Sequence, residues 1–553
     1  MSAAAPRGRL AAMEDRTADV VVVGAGIAGL VTTLELLDKG RDVVLLDRCE
    51  PHELGGLARE AFGGMFFVDS PEQRRGGIHD SHELALRDWF RIAEFKEDDV
   101  LPRAWAEAYV TRARDEVGAW LKSIGVKFFP VVNWAERGID GDGNSVPRFH
   151  LTWGTGRALV EQVWKAIEAH PRRSALDVRF RTLVTGLVEE GGRVVGVQLG
   201  SSGQLHAAAV VLAAGGVGGN LDIVRREWPA ELGEAPRELL MGSHYYADGA
   251  MHEEVTRIGG NVTHLDRMWN YADAVRHPDP KRPLHGLKLI PPRSGLMMKP
   301  SGERFWPAVM PTFDNYHALE RMCETPQKYA WIICNEKIAR RELDVSGAQH
   351  NPSIREQRLV RFLAGIVLGK PTLVKYFVER CPDFVVADSL PELAEKMREV
   401  TRDGALDAEA LERDVRRYDA MIERGENLHN DDQLRRIAQL RKWRGDRLRT
   451  CKFQPIASDP KAGRLIAIRL QPMARKSLGG IQTDLDCRVM RPGGAIDGLY
   501  AVGEAAGFGG GGLHGKRALE GTFLGGCVFT GRIAAASIAN AAVPASAGAA
   551  TSR

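Results

Sequence analysis

Three patterns of apolar and polar positions follow one another along the chain, and each predicts a different kind of element. Continuous apolar runs at Val20–Val23, Val43–Leu46 and Val210–Ala214 read as strands buried on both faces of a parallel sheet. Between the first two, residues 27–39 repeat apolar positions at helical spacing and stop at Gly40, so residues 18–47 read as a strand–helix–strand unit opening a doubly wound α/β domain. Charged and apolar residues then alternate at helical spacing from 69 to 129, with tryptophans at 89, 105 and 120. From 178 to 215, short alternating runs broken by Gly191-Gly192 and by Ser201-Ser202-Gly203 predict a β-meander that ends at Gly215-Gly216. Residues 266–459 read as mostly helical and more charged. Within them Ser389 and Glu392 have capping-box spacing, and Asp407 reads as an N-cap with Leu406 and Leu411 as a hydrophobic staple. Leu411, Val415, Tyr418 and Ile422 then make one apolar face. Alternation returns at 479–490 and 498–507, which predicts that the last segment rejoins the first sheet.

Composition narrows this only in places. A chain of 553 residues exceeds a single core and predicts two or three domains. A net charge of +3 argues for neither nucleic acid nor an acidic membrane as partner. Seven cysteines, scattered without a CxxC pair or metal-ligand spacing, suggest reduced thiols, a cytoplasmic setting and no metal site. The first sixteen residues lack the apolar core of a secretory signal, and no run of 18 apolar residues predicts a membrane span. Glycine is over-used: 60 residues, roughly 11% against about 7% expected. The glycines cluster between apolar runs, where backbone must approach something closely.

The candidate chemistry begins at Gly24, Gly26 and Gly29, a GxGxxG set lying after a buried strand and opening a helix at Ile27 and Ala28. The first glycine allows the tight turn. The second lets backbone approach a pyrophosphate at the positive helix end, and the third lets helix and strand pack closely. Asp47 follows Gly24 by 23 residues, where an acid accepts from a ribose hydroxyl. A second fingerprint is missing, since "GGVGGNL" after Ala214 has Leu221 where a third glycine belongs. One dinucleotide site, Gly55-Gly56 and the "LYAVGE" segment point to FAD.

This constellation resembles the glutathione-reductase-like FAD superfamily. Within it, "GLYAVGEAAG" followed by "HGKRALEGTFLGGCVFTGR" resembles the fumarate reductase, succinate dehydrogenase and 3-ketosteroid dehydrogenase flavoproteins, with "SGERFW" and "KSLGGIQTD" in the family's order. The resemblance covers about residues 18–538. It implies an α/β fold: a discontinuous Rossmann-type FAD domain (17–265 and 460–540), an inserted α+β capping or substrate domain (266–459), and flexible tails at 1–16 and 541–553. It also implies an oxidoreductase acting on a carbon–carbon bond next to a carbonyl or carboxylate, with hydride exchanged at flavin N5, a small-molecule substrate and a separate electron acceptor or donor.

The same resemblance assigns roles. Gly215, Gly503, Gly521 and Thr522 join the cofactor set, and Glu504 would bond a ribitol hydroxyl. The helix after Gly521 would turn its free N–H groups to the flavin, and the run Gly509–Gly512 would bring backbone over the ring. Arg517 stands for the substrate-clamping arginine of an HG-x-x-R segment, with His514 as a second catalytic candidate. Fumarate reductases carry a histidine just before Leu/Met-Gly-Gly, where this chain has Arg475 and Lys476; their proton-donating arginine has no counterpart near Thr312 and Phe313. Leu57 falls at the position of the histidine that links FAD in succinate dehydrogenases, so FAD is expected to be noncovalent. Ketosteroid dehydrogenases rely on tyrosines, for which Tyr245 and Tyr246 are the candidates beside Tyr316. Arg475 and His150 are candidate substrate contacts, and Asp248 reads as an N-cap. The basic stretch 435–452, with eight cations and one acid, reads as a solvated helix face. It alone supports the alternative of an RNA-modifying or electron-relay flavoprotein.

Overall fold

The computed structural model describes residues 18–541 apart from 140, 201, 202 and 311; the tails expected at 1–16 and 541–553 lie outside it, Ala541 excepted. Among the described residues, two eight-stranded sheets organise the chain. In the first, Leu176–Arg179, Val43–Leu46, Ala18–Val23, Gln204–Leu212 and Gly494–Ala501 lie side by side and parallel. The apolar runs form these strands because both faces are covered: Val21, Val22, Leu45, Leu46, Val210 and Val211 are all buried. Val184–Glu190 and Arg193–Leu199 are the antiparallel pair that the broken alternation predicts.

Helix Ile27–Asp38 packs under this sheet against the C-terminal helix Thr522–Asn540. Small residues make the crossing close, since a Cβ on Gly531 would meet the Ala28 carbonyl oxygen at 2.8 Å. Arg532 clips the pair by donating to Glu35 at 2.8 Å. The C-terminal helix is long and apolar enough to cross a membrane, but 67% of its most apolar window is buried in the fold, so its composition is that of a core helix.

The second sheet draws both on the inserted segment, expected to be α+β, and on residues expected to belong to the FAD domain. Residues 266–459 supply Met268–Arg276, Gly286–Ile290, Leu296–Met298, Ala330–Asn335, Asp344–Val345 and Phe384–Ala387 as strands as well as helices. Their central partner is Leu465–Ser477, which pairs with Met268–Arg276, Ala330–Asn335, Phe384–Ala387 and Leu240–Met241. The chain therefore returns to the first sheet only at Arg488–Arg491 and Gly494–Ala501. The physical reason is burial: Leu465–Ala474 is buried at every position, as a strand flanked on both edges and both faces must be. Asp407 caps its helix through the Glu409 and Ala410 amides, as its position predicts. Ser389 accepts from the Glu392 amide, while the Glu392 side chain reaches Asp388 rather than Ser389.

A buried ion cluster stands beside the small two-stranded sheet that meets the start of the C-terminal helix. Arg148, fully buried, donates to Asp80 at 2.8 and 2.9 Å and to Asp88 at 2.6 Å. It precedes the strand Phe149–Leu151, which pairs with Gly64–Phe66, and the Phe66 amide in turn holds the Gly521 carbonyl at 2.9 Å. Arg148→Met leaves two buried carboxylates without their cation and costs about 3–5 kcal/mol of stability, to be read from chemical denaturation.

Candidate active site

A cavity of about 2170 Å³ runs between the two sheets. Ligand sites usually occupy about 300–1,000 Å³, so it has room for a dinucleotide and a second molecule together.

One end is the glycine cradle. Gly24 has φ 108°, and a Cβ there would come within 2.4 Å of the Ala213 carbonyl oxygen. A Cβ on Gly29 would meet the Gly24 carbonyl at 1.9 Å, so this glycine serves helix–strand packing and lies off the cavity. Gly26 faces open space on the cavity wall, beside Ile27, Ala28, Gly55, Gly56 and Gly215. Asp47 is held by two amides, Ala25 at 2.6 Å and Cys49 at 2.7 Å, with its carboxylate on the wall. Glu504 lies further along. Among the described residues its carboxyl accepts only from Ser477, from the amide at 3.1 Å and the hydroxyl at 3.5 Å, and burial pushes its pKa up to about 7. Spare acceptor capacity on a buried carboxyl, a glycine wall that a Cβ would fill, and an acid at the strand end suit a dinucleotide carrying ribityl hydroxyls.

The other end gathers charge. At Gly521 (φ 99°) the C-terminal helix begins without a side-chain cap, and Gly521, Phe523, Leu524 and Cys527 line the cavity, so the positive end of the helix faces it. Around this turn, Glu520 accepts from Tyr271 at 2.8 Å and from Trp269 at 3.1 Å, with the Lys288 ammonium 3.6 Å away. Lys476 donates to the Tyr271 hydroxyl at 3.1 Å and lies 3.7 Å from the centroid of the Phe523 ring. Burial would raise the Glu520 carboxyl, but Lys288, Lys476 and the two side-chain donors outweigh it and hold the pKa at about 2. Burial lowers Lys476 to about 7 in spite of the Glu520 charge. Tyr271 is pushed well above the ordinary phenol range by burial and then by Glu520, so it stays protonated. Asp273, two residues on, is raised to about 6 by burial, and its Oδ1 has no hydrogen-bond partner among the described residues. A bulge between Tyr271 and Ala274 interrupts the pairing with Leu465–Ser477 here and re-aims these side chains.

Several candidates lie elsewhere. His514 is fully buried and off the cavity: its Nε2 lies 2.7 Å from the Thr522 hydroxyl, and its ring stacks on Trp89. Thr522 is likewise off the wall, as is Gly503, whose Cβ would strike the Ala28 side chain at 2.7 Å. Arg517 is neutralised by Asp142 at 3.1 Å and Asp314 at 3.3 Å, outside the large cavity; it follows His514 by three positions rather than the four of HG-x-x-R. Gly509–Gly512 do not line the cavity; a Cβ on them would strike Trp105, Leu101, Thr263 and His264, so their bareness serves packing. His150, 1% exposed, sits between Ser70 at 2.6 Å and the Arg148 carbonyl at 2.8 Å while its neighbours Phe149 and Leu151 face the cavity. Tyr245 and Tyr246 do line it, but at the nucleotide end: Tyr245 donates to Glu53 at 2.9 Å, and the Arg48 guanidinium lies over the Tyr246 ring. Asp248 splits its carboxylate between Arg48 at 2.8 Å and the Ala250 amide at 3.1 Å. Arg475 lines the wall and donates to the Gly242 carbonyl.

Tyr271, Asp273, Lys288 and Glu520 were not among the sequence candidates. The alternate positions Trp269, Tyr271 and Asp273 put polar groups on one face of their strand, but Asn270 and Arg276 on the same strand blur that signal, and nothing local marks Lys288 or Glu520.

A parallel sheet with a glycine cradle, joined through one cavity to a buried cluster of titratable side chains, fits a dinucleotide-dependent oxidoreductase. The FAD binding domain family matches residues 19–524. A KsdD-like steroid dehydrogenase of Mycobacterium tuberculosis is 43% identical over 547 residues, covering 94% of this chain and 95% of that one. Among solved structures, 3-ketosteroid Δ1-dehydrogenase from Sterolibacterium denitrificans superposes with a TM-score of 0.70 at 17% identity, covering 95% and 99% of the two chains. A flavocytochrome c3 fumarate reductase does so with 0.66 at 21% identity, covering 95% and 78%. The chain belongs to the FAD-binding oxidoreductase family that includes the KsdD-like steroid dehydrogenases. Its cofactor is FAD.

Proposed function

We propose that the protein dehydrogenates, or in the reverse direction reduces, a carbon–carbon bond adjacent to a carbonyl in a ketosteroid-like small molecule. The hydrogen-bonded chain Lys476–Tyr271–Glu520 on the cavity wall carries this reading. The name of the 43% identical relative supports the substrate class, and the apolar lining of the cavity suits it. FAD, held noncovalently by the Gly24–Gly29 turn, Asp47, Glu504 and the Gly521 helix start, supplies the two-electron redox chemistry when bound.

The remaining work is the chain's own. Neutral Lys476 takes the proton from the carbon beside the carbonyl, and its ammonium returns one in the reverse direction. Tyr271 positions the amine, and Glu520 fixes Tyr271. Arg475 polarises the carbonyl oxygen. The buried walls exclude water, which strengthens each of these interactions.

Anaerobic mixing of the yellow protein with 3-ketosteroids and with enoates tests the reading: the flavin absorbance bleaches with a saturated substrate, or recovers with an unsaturated one after reduction. Unchanged flavin with every such carbonyl compound overturns it. Tyr271→Phe retains FAD and lowers kcat. It also moves the rate inflection near pH 7 to lower pH, because loss of the hydroxyl acceptor disfavours the Lys476 ammonium; a pH–rate profile checks this.

A further inference from the structure

The helix Leu359–Leu368 is the least ordinary surface of the molecule. None of its ten residues is buried, though its sequence LVRFLAGIVL carries a single charge. Val360 is 82% exposed, Val367 64% and Leu368 79%. Apolar patches of this kind mark binding surfaces. The helix is also a wall of the cavity just described, since Phe362, Leu363 and Ile366 line it. Phe362 ties it down against Phe129 and Trp153, with ring centroids 5.1 and 6.1 Å away. Arg361 and Leu368 line the cavity as well, so within the helix Val360 and Val367 are the apolar residues turned away from it toward solvent.

The flanks are basic. Residues 352–380 carry Arg355, Arg358, Arg361, Lys370, Lys375 and Arg380 against Glu356 and Glu379, with Asp344 pairing Lys370 and Asp279 pairing Arg380 from outside the segment, which leaves the flank with two more cations than acids. Glu356 is shared between Arg355 and Arg358, each at 2.9 Å. A second copy of this chain on the patch would set like charges face to face. A sheet of anionic headgroups over acyl chains complements both the cations and the apolar stripe.

We propose that Leu359–Leu368 docks in the plane of an anionic lipid surface, with Val360 and Val367 in the acyl region and the flanking cations at the headgroups. The cavity then opens beside the bilayer, where apolar molecules partition. The docking goes beyond the catalytic reading and stands without it.

Flotation of the flavin-loaded protein with vesicles of phosphatidylcholine and phosphatidylglycerol (roughly 3:1) tests the proposal. The protein floats with these vesicles, floats less with phosphatidylcholine alone, and is released as salt rises. Arg358→Gln, which lies off the cavity, weakens binding about fivefold. The double variant Val360→Glu, Val367→Glu stays with the unbound fraction while its flavin spectrum and thermal midpoint match the parent. The proposal is overturned if the parent protein does not float on the anionic vesicles at low salt. It is equally overturned if the double variant floats as the parent does, or if the variant only converts a dimer to a monomer without any change in flotation.

Discussion

Lys476→Met lowers kcat by about 10²–10⁴-fold, the range of a positioned acid or base, and erases the dependence of rate on pH near neutrality. The sign follows from the role. The amine acts only when unprotonated, so dehydrogenation in the parent protein rises as pH increases through about 7, the value to which burial brings Lys476. In the reductive direction the ammonium is the donor, and the rate falls through the same value. Methionine keeps the length and apolar stem, so packing against Phe523 survives and the flavin spectrum is retained. A variant that keeps the inflection, or loses less than tenfold, removes Lys476 from the proton-transfer role.

Gly26→Val yields a folded, colourless protein. A Cβ at this position meets no protein atom within 4 Å, and the backbone there is extended (φ −68°, ψ 174°), so the apoprotein tolerates the side chain. The added bulk stands in the cradle, on the cavity wall. Lost charge-assisted hydrogen bonds to backbone, about 1.5–3 kcal/mol each, weaken FAD about a hundredfold or more. Gly24→Val is the contrast. Its left-handed φ and the 2.4 Å approach to the Ala213 oxygen strain the turn itself, so stability falls as well. The ratio of flavin to protein absorbance and the melting midpoint of FAD-free protein separate the two.

The nucleotide half was legible because its signals are local. A buried strand, a turn of glycines and a second strand ending at Asp47 fall within thirty residues, and each glycine's demand on the backbone is visible in the order of the chain. The proton-transfer cluster was not legible for the opposite reason. Tyr271, Lys288, Lys476 and Glu520 come from four separate stretches, and only the pairing of Met268–Arg276 with Gly286–Ile290 and Leu465–Ser477 brings three of them together. Lys476 was noticed as a departure from a histidine, but its partner could not be. The run Gly509–Gly512 misled because glycine reports close approach without saying to what: here the neighbour is a tryptophan, not a flavin. The strand Leu465–Ser477 falls in the segment 460–540 expected to complete the FAD domain, yet it pairs within the second sheet; Arg469 and Gln471 interrupt its apolar run, so no local pattern marked it as the centre of a buried sheet.

That strand has a mechanical meaning. Its middle is the spine of the second sheet, and its final residues, Lys476 and Ser477, touch the Tyr271–Glu520 cluster and the Glu504 carboxyl. Pushing on one therefore tugs the other, and a tight ligand in the cap changes the electrostatic setting of the coenzyme before any bond is made. Inert analogues should accordingly tint the yellow band and shift its midpoint potential, which makes the protein's own colour a gauge of what has entered it.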